Sequence, residues 1–293
     1  MKNFSFKGCG TALVTPFRNG EVDYEAYVAC VKRQVEAGVH FLVALATTGE
    51  TPTLSAEEKL RLLQLTNEHS AGVPVVAGCG SNSLSATLDN IRLLEPVGVD
   101  GFLVVVPYYN KPTQEGQYRY FKAVAEATEK PVIVYNVPGR TGANMTADTA
   151  IRLAEDCPNI VATKEASGNY SQVSEIIRRA PEGFTVLSGD DDMTLAFMAT
   201  GAHGVISVAS NAAPVEVSRM VDCMLQGRLE EARNLHHRLS PLFKNCFVES
   251  NPIPVKAAMA GMGLISDELR LPLVAASRST KDLMAKTLEE LWK

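Results

Sequence analysis

The sequence predicts an α/β fold, a (β/α)8 TIM barrel with a C-terminal helical extension, on three observations. Short apolar runs recur near Gly10, Phe41, Val73, Phe102, Val132, Val161, Thr185 and Val205, at intervals of 20 to 32 residues. Such an interval holds one strand, one helix and two loops, the unit that builds parallel sheets. Runs such as Phe102-Leu103-Val104-Val105-Val106 and Val132-Ile133-Val134 are continuously apolar rather than alternating, as expected of strands covered on both faces. Eight units can close a barrel, and 293 residues leave room beyond the roughly 250 that such a barrel takes.

In chain order, the second run leads into Thr47-Thr48-Gly49-Glu50. Ser55-Ala56-Glu57-Glu58 then forms a capping box that opens a helix to about Ser70. The third run precedes Gly78-Cys79-Gly80-Ser81-Asn82-Ser83, a weak dinucleotide-binding candidate: its third glycine is replaced by serine and it follows the wrong strand. The fourth, fifth and sixth runs end at Tyr108-Tyr109-Asn110, at Tyr135-Asn136-Val137-Pro138-Gly139-Arg140 and at Lys164-Glu165. The seventh ends at Ser188-Gly189-Asp190 and the eighth, from Gly204 to Ser210, passes Ile206-Ser207. Helical spacing follows over Pro214–Gln226, Leu229–Cys246, Pro254–Met262 and Ser279–Leu291. The first of these completes a barrel of residues 1–227. The rest form an extension, residues 228–293, with too few apolar residues to stand alone and expected to pack on the barrel.

Composition removes several classes of function. With 28 basic against 33 acidic residues, the net charge of −5 does not suit a chain built to grip nucleic acid. A hydrophobic share of 46% with 21% charged residues fits a large core rather than disorder. The six cysteines (Cys9, Cys30, Cys79, Cys157, Cys223 and Cys246) show no zinc-ligand spacing and read as reduced, mostly buried thiols of a cytoplasmic protein. No secretory h-region or membrane-length apolar stretch is present in the sequence, and no Gly-x-x-x-x-Gly-Lys loop supports phosphate binding.

A parallel barrel carries its site at the carboxyl ends of its strands, so the residues named above converge on one mouth. Of the thirteen lysines, Lys164 alone lies inside an apolar strand, Ile160-Val161-Ala162-Thr163-Lys164. Burial there would depress its pKa and release a nucleophilic amine that condenses with ketones; the competing reading is a lysine that snorkels to solvent or pairs with Glu165. Lys256, in the extension, suits a structural or interface role. Imine and enamine formation need proton transfers, for which Tyr135, Tyr109 and Thr47 offer hydroxyls. Thr48 and Gly49 form a plausible cradle for a small carboxylate, and Arg140 could bind a second carboxylate bidentately. Asp190-Asp191-Asp192 reads as helix capping rather than a metal site. His236 and His237, adjacent on a helix, make a poor metal pair, and no hydrolase motif is present.

These motifs resemble the dihydrodipicolinate synthase (4-hydroxy-tetrahydrodipicolinate synthase) family of pyruvate-dependent class I aldolases, related to N-acetylneuraminate lyase. The resemblance runs from about Gly8 to the C-terminus, through Ala46-Thr47-Thr48-Gly49-Glu50, Pro107-Tyr108-Tyr109-Asn110-Lys111-Pro112, Tyr135-Asn136-Val137-Pro138-Gly139-Arg140-Thr141-Gly142 and Thr163-Lys164-Glu165-Ala166. The Gly-Arg-Thr-Gly stretch separates synthases from sialic acid lyases; the alternative is a pyruvate lyase acting on a sugar acid.

The resemblance implies a Schiff base of pyruvate on Lys164, Tyr135 as central acid/base, and a relay completed by Thr47 and by Tyr109 from a neighbouring subunit. It further implies that Thr48 holds the pyruvate carboxylate and Arg140 that of L-aspartate 4-semialdehyde, with Gly189 and Ile206 lining the pocket. A homotetramer built as a dimer of dimers, no metal and no organic cofactor are expected. Two departures stand out. Ala46 replaces a common glycine, and Ala56, Lys59 and Ala86 replace the histidine and glutamate of lysine-inhibited relatives, although Asn82 and Tyr108 remain. Little or no inhibition by lysine is therefore expected.

Overall fold

The structure, a computed structural model, describes residues 6–293. Eight parallel strands close a barrel in sequence order: β1 (Gly8–Ala12), β2 (Phe41–Ala44), β3 (Val75–Gly78), β4 (Gly101–Val105), β5 (Val132–Asn136), β6 (Ile160–Glu165), β7 (Thr185–Ser188) and β8 (Gly204–Ser207), which returns to pair with β1. Eight helices accompany them: α1 (Tyr24–Glu36), α2 (Ala56–His69), α3 (Leu84–Leu94), α4 (Gln114–Glu126), α5 (Ala147–Asp156), α6 (Tyr170–Arg179), α7 (Thr194–Thr200) and α8 (Pro214–Leu225). Three more, α9 (Leu229–Asn245), α10 (Ile253–Gly261) and α11 (Arg278–Leu291), complete the chain.

Local chemistry starts many of these helices. Ser55 Oγ accepts from the Glu58 amide at 3.2 Å while Glu58 returns a 2.8 Å bond to the Ser55 amide, the reciprocal box expected of the sequence. Thr113, Thr146, Asn169 and Ser277 cap α4, α5, α6 and α11 in the same sense, each accepting from an amide three residues on.

Strand alternation separates two cores. Alternate residues, among them Phe41, Val43, Leu103, Ile133, Tyr135, Ala162, Leu187 and Ile206, fill the barrel interior. The others pack outward under the helices in a larger core that also takes in Leu239, Phe243, Met284 and Leu288 of α9 and α11. One irregularity matters for the site. Val132 pairs with Ile160, but Ile133 pairs with Ala162, so Val161 is an extra residue on β6. From there on Tyr135 lies opposite Lys164 and Asn136 opposite Glu165.

Three local details differ from the expected pattern. The segment after β1 carries a small antiparallel hairpin, Phe17–Arg18 with Glu21–Val22, too short for an apolar run to signal. β3 begins at Val75 rather than Val73, after Pro74, which has no amide to give a ladder. The eighth strand stops at Ser207, not Ser210, because the Asp191 carboxylate takes the amides of Val208 and Ala209 at 3.0 and 2.9 Å. The acidic run therefore caps, but its bonds go to the loop after the neighbouring strand rather than to its own helix. All six cysteines are buried free thiols, and no helix among the described residues is long and apolar enough to cross a membrane.

Candidate active site

Lys164 stands on the inner face of β6, 4% exposed. Its ammonium lies 4.1 Å from the centroid of the Tyr135 ring on β5, and it makes no ion pair among the described residues. The competing reading of the sequence, a pair with Glu165, does not hold. Successive strand residues face opposite ways, and Glu165 points outward to accept from Asn136 Nδ2 (3.1 Å) and Ser167 Oγ (2.9 Å).

Gly189 makes room for the lysine. A Cβ there would lie 2.7 Å from Ala166 Cβ and 3.1 Å from Lys164 Cε, so any side chain would press on the stem of the amine. Ile206 is wholly buried in the same interior layer.

Electrostatics follow from this enclosure. Burial pushes the Lys164 ammonium down from 10.5 to about 8, against the opposing charges of Asp190 and Asp191 and with the help of Arg140. Burial raises the Tyr135 phenol to about 12, partly offset by Arg140, so it stays protonated at neutral pH. Asp190 is raised to about 6 by burial and by Asp192. Burial likewise raises Glu165 to about 7, against its hydrogen bonds from Ser167, Asn136 and Gln172.

Tyr135 also lines a cavity of about 530 Å³, together with Thr47, Tyr108, Arg140, Asn251 and Lys59, among others. The loop after β2 forms a turn of 3-10 helix, Thr47–Gly49, closed by Glu50 in the left-handed conformation (φ 52°). Thr48, at the centre of this turn, is buried, and its Oγ1 accepts from Asn251 Nδ2 at 3.0 Å. Arg140 rides on a single helical turn, Pro138–Thr141, ended by Gly142 at φ 70°. Its guanidinium is exposed and has no hydrogen-bond or ion-pair partner among the described residues. Lys59, another lining residue, also lacks an ion pair among the described residues.

The fold thus brings Thr47, Tyr135 and Arg140 to one cavity; Lys164 does not itself line it but sets its ammonium against the Tyr135 ring, and no hydrogen bond joins the Tyr135 and Thr47 hydroxyls. It does not bring Tyr109 there. That residue adopts φ 73° and is 87% exposed, outside the cavity lining, with its amide donating to Thr141 O at 3.2 Å. Sequence reasoning missed Asn251, which has no motif of its own. For Lys256 the sequence suggests a structural or interface role, and the structure buries it completely against Glu50. Its signal was the apolar run Ile253-Pro254-Val255-Lys256-Ala257-Ala258 around a single cation.

What this arrangement can do is form an imine. A desolvated amine can attack a carbonyl while a neighbouring phenol moves protons, with an unpaired guanidinium ready for an anion. Comparison with known proteins points the same way. Residues 5–291 match the model of the dihydrodipicolinate synthetase family. The chain is 48% identical over 289 residues to a 4-hydroxy-tetrahydrodipicolinate synthase of Thermotoga neapolitana, covering 97% of this chain and 98% of that one. It is 49% identical over 287 residues to one from Phocaeicola vulgatus, covering 97% of each. The crystal structure of dihydrodipicolinate synthase from Thermotoga maritima superposes with a TM-score of 0.97 at 46% identity, over 99% of both chains.

Proposed function

The chain belongs to the dihydrodipicolinate synthetase family, and from that premise we propose that it condenses pyruvate with L-aspartate 4-semialdehyde through an imine on Lys164, the 4-hydroxy-tetrahydrodipicolinate synthase reaction. One observation carries the reading: a buried lysine amine without an ion pair among the described residues, packed against a tyrosine ring that lines a cavity with an exposed guanidinium.

The neutral Lys164 amine attacks C2 of pyruvate and the carbinolamine loses water to give the imine. Removal of a C3 proton yields an enamine, whose C3 bonds to the aldehyde carbon of the second substrate while the aldehyde oxygen takes a proton. Attack of that substrate's amino group on C2 then closes the ring and expels the Lys164 amine. The imine is the electron sink, so the chemistry calls for neither metal nor organic cofactor. Tyr135 acts as central acid/base, with Thr47 and a Tyr109 from a neighbouring subunit completing the relay. Thr48 holds the pyruvate carboxylate and Arg140 the carboxylate of the aldehyde, while Gly189 and Ile206 shape the floor.

The same reading covers assembly and placement. Tyr109, held in a left-handed backbone conformation and projected into solvent, suits donation to another copy in a cytoplasmic homotetramer. Residues 1–227 form the catalytic barrel, and 228–293 an extension dependent on it.

Borohydride reduction in the presence of pyruvate, followed by peptide mapping, tests the reading. The expected result is a reduced pyruvyl adduct on Lys164. Absence of any adduct, or an adduct on Lys256 alone, would overturn it.

A further inference from the structure

Three residues of the C-terminal extension, Asn251, Lys256 and Arg270, reach the Thr47–Glu50 segment from more than 200 positions away in sequence. Glu50 is its joint. The Glu50 amide donates to Thr47 O at 3.1 Å to close the Thr47–Gly49 turn, and its carbonyl accepts from Thr53 N at 2.9 Å to begin the next. It does so at φ 52°, a left-handed conformation that a residue with a side chain holds only when its surroundings over-determine it.

The side chain supplies that determination. Glu50 Oε1 accepts from Lys256 Nζ at 2.7 Å, with the two side chains 1% and 0% exposed, and Glu50 Oε2 accepts from the Arg270 amide at 3.1 Å. Lys256 Nζ also donates to Thr15 O at 2.9 Å, while Thr15 Oγ1 donates to Gly49 O at 2.8 Å. The Phe17 ring, 4.5 Å from Nζ, closes the other side. Asn251 forms an independent link by donating to Thr48 Oγ1. With its oxygen already accepting, the threonine hydroxyl keeps its proton for a different partner.

A buried ion pair of this kind adds little net stability compared with an apolar pair of the same shape, and its best-attested use is to fix one geometry. We propose that Lys256, acting through Glu50, and Asn251, acting through Thr48, are positioning residues by which the extension holds the Thr47–Gly49 turn in the shape that binds the pyruvate carboxylate. The proposal rests on the reading that this turn takes that carboxylate.

The test measures the pyruvate concentration that half-saturates borohydride-trapped imine on Lys164, in the parent and in three full-length variants. Thr48→Ala checks the underlying reading, Glu50→Gln/Lys256→Met removes both charges together, and Asn251→Ala removes the other link. Misfolding lowers the maximum adduct yield but leaves half-saturation unmoved, so the readout separates positioning from loss of structure. The expected result is a rise in half-saturation on the order of tenfold in the double variant and in Asn251→Ala, with full labelling at saturating pyruvate. Absence of adduct in the parent, or an unchanged Thr48→Ala, would bring down the reading beneath the proposal. A raised Thr48→Ala value with both other variants within twofold of the parent would overturn the proposal alone. If the double variant does not fold, Asn251→Ala decides by the same criterion.

Discussion

The Lys164 ammonium lies 4.1 Å from the centroid of the Tyr135 ring, and the two residues are Cα partners on adjacent strands of the barrel. Ring and amine share the inner face, and Gly189 leaves the lysine stem its space.

Lys164→Arg should abolish the borohydride adduct, because a guanidinium stays protonated and cannot attack a ketone. Tyr135→Phe should keep pyruvate binding largely intact and slow turnover by roughly 10²-fold or more. Steady-state kinetics and intact-mass analysis check both; near-normal turnover in either variant would contradict the assignment.

Imine formation at fixed pyruvate should rise with pH through a midpoint near the Lys164 value of about 8. A linked effect on stability has a definite sign. The folded amine loses its proton before the unfolded one does, so between about 8 and 10.4 the unfolded chain binds more protons and stability rises with pH. Below that window the native state bears the full cost of a buried charge, on the order of 3 kcal/mol. Lys164→Met should therefore be inactive yet more stable at pH 7, by an amount approaching that figure and shrinking toward pH 10. Urea unfolding at pH 7 and pH 9.5 gives the comparison, and a less stable Lys164→Met at pH 7 would refute the desolvation argument.

Arg140→Ala should weaken the aldehyde substrate selectively. The guanidinium at the cavity wall has no hydrogen-bond or ion-pair partner to lose among the described residues, so stability should be unaffected. The KM for L-aspartate 4-semialdehyde should rise by about 10- to 100-fold, with half-saturation by pyruvate within a few-fold of the parent. A selective effect on pyruvate would reverse the two carboxylate assignments.

Lysine should inhibit weakly or not at all. Lys59 lines the cavity without an anionic partner among the described residues and would repel the effector's ammonium groups, while Ala56 and Ala86 supply no replacement charge. A lysine titration of the initial rate serves as the check; half-inhibition below 1 mM would be inconsistent with this.

A subunit-mixing experiment addresses Tyr109. If the residue serves a neighbouring site, Lys164→Arg and Tyr109→Phe each lose activity as homo-oligomers. After dissociation and mixing, each mixed pair of neighbouring subunits contains one site with both native residues, and activity should return to about a quarter of the parent in a random mixture. No recovery in a demonstrably mixed oligomer would place Tyr109 outside the relay.

Much of this molecule was legible in the chain. The eight apolar runs located every barrel strand to within about two residues, because strands buried on both faces need uninterrupted apolar side chains. The Ser55 capping box fixed the start of α2 through chemistry local to four residues. Lys164 was recognisable since a cation within such a strand has few structural excuses. Asn251 and the partnership of Glu50 with Lys256 were not legible. Their contacts join positions more than 200 residues apart, and neither pattern nor propensity registers so distant a pairing.

The primary structure by itself determined the barrel, its order of strands, and which residue types stand at its carboxyl-end mouth, since each depends on local periodicity and burial. The tertiary structure decided how those residues face one another. The extra residue Val161 on β6 sets Tyr135 opposite Lys164, on the inner face, and leaves Asn136 to hold Glu165 outside. Tyr109, at φ 73° and 87% exposed, is left out of the cavity that Thr47, Tyr108 and Tyr135 line. Pairing register and backbone handedness are settled by cooperative packing across the whole barrel, which no short stretch of sequence encodes.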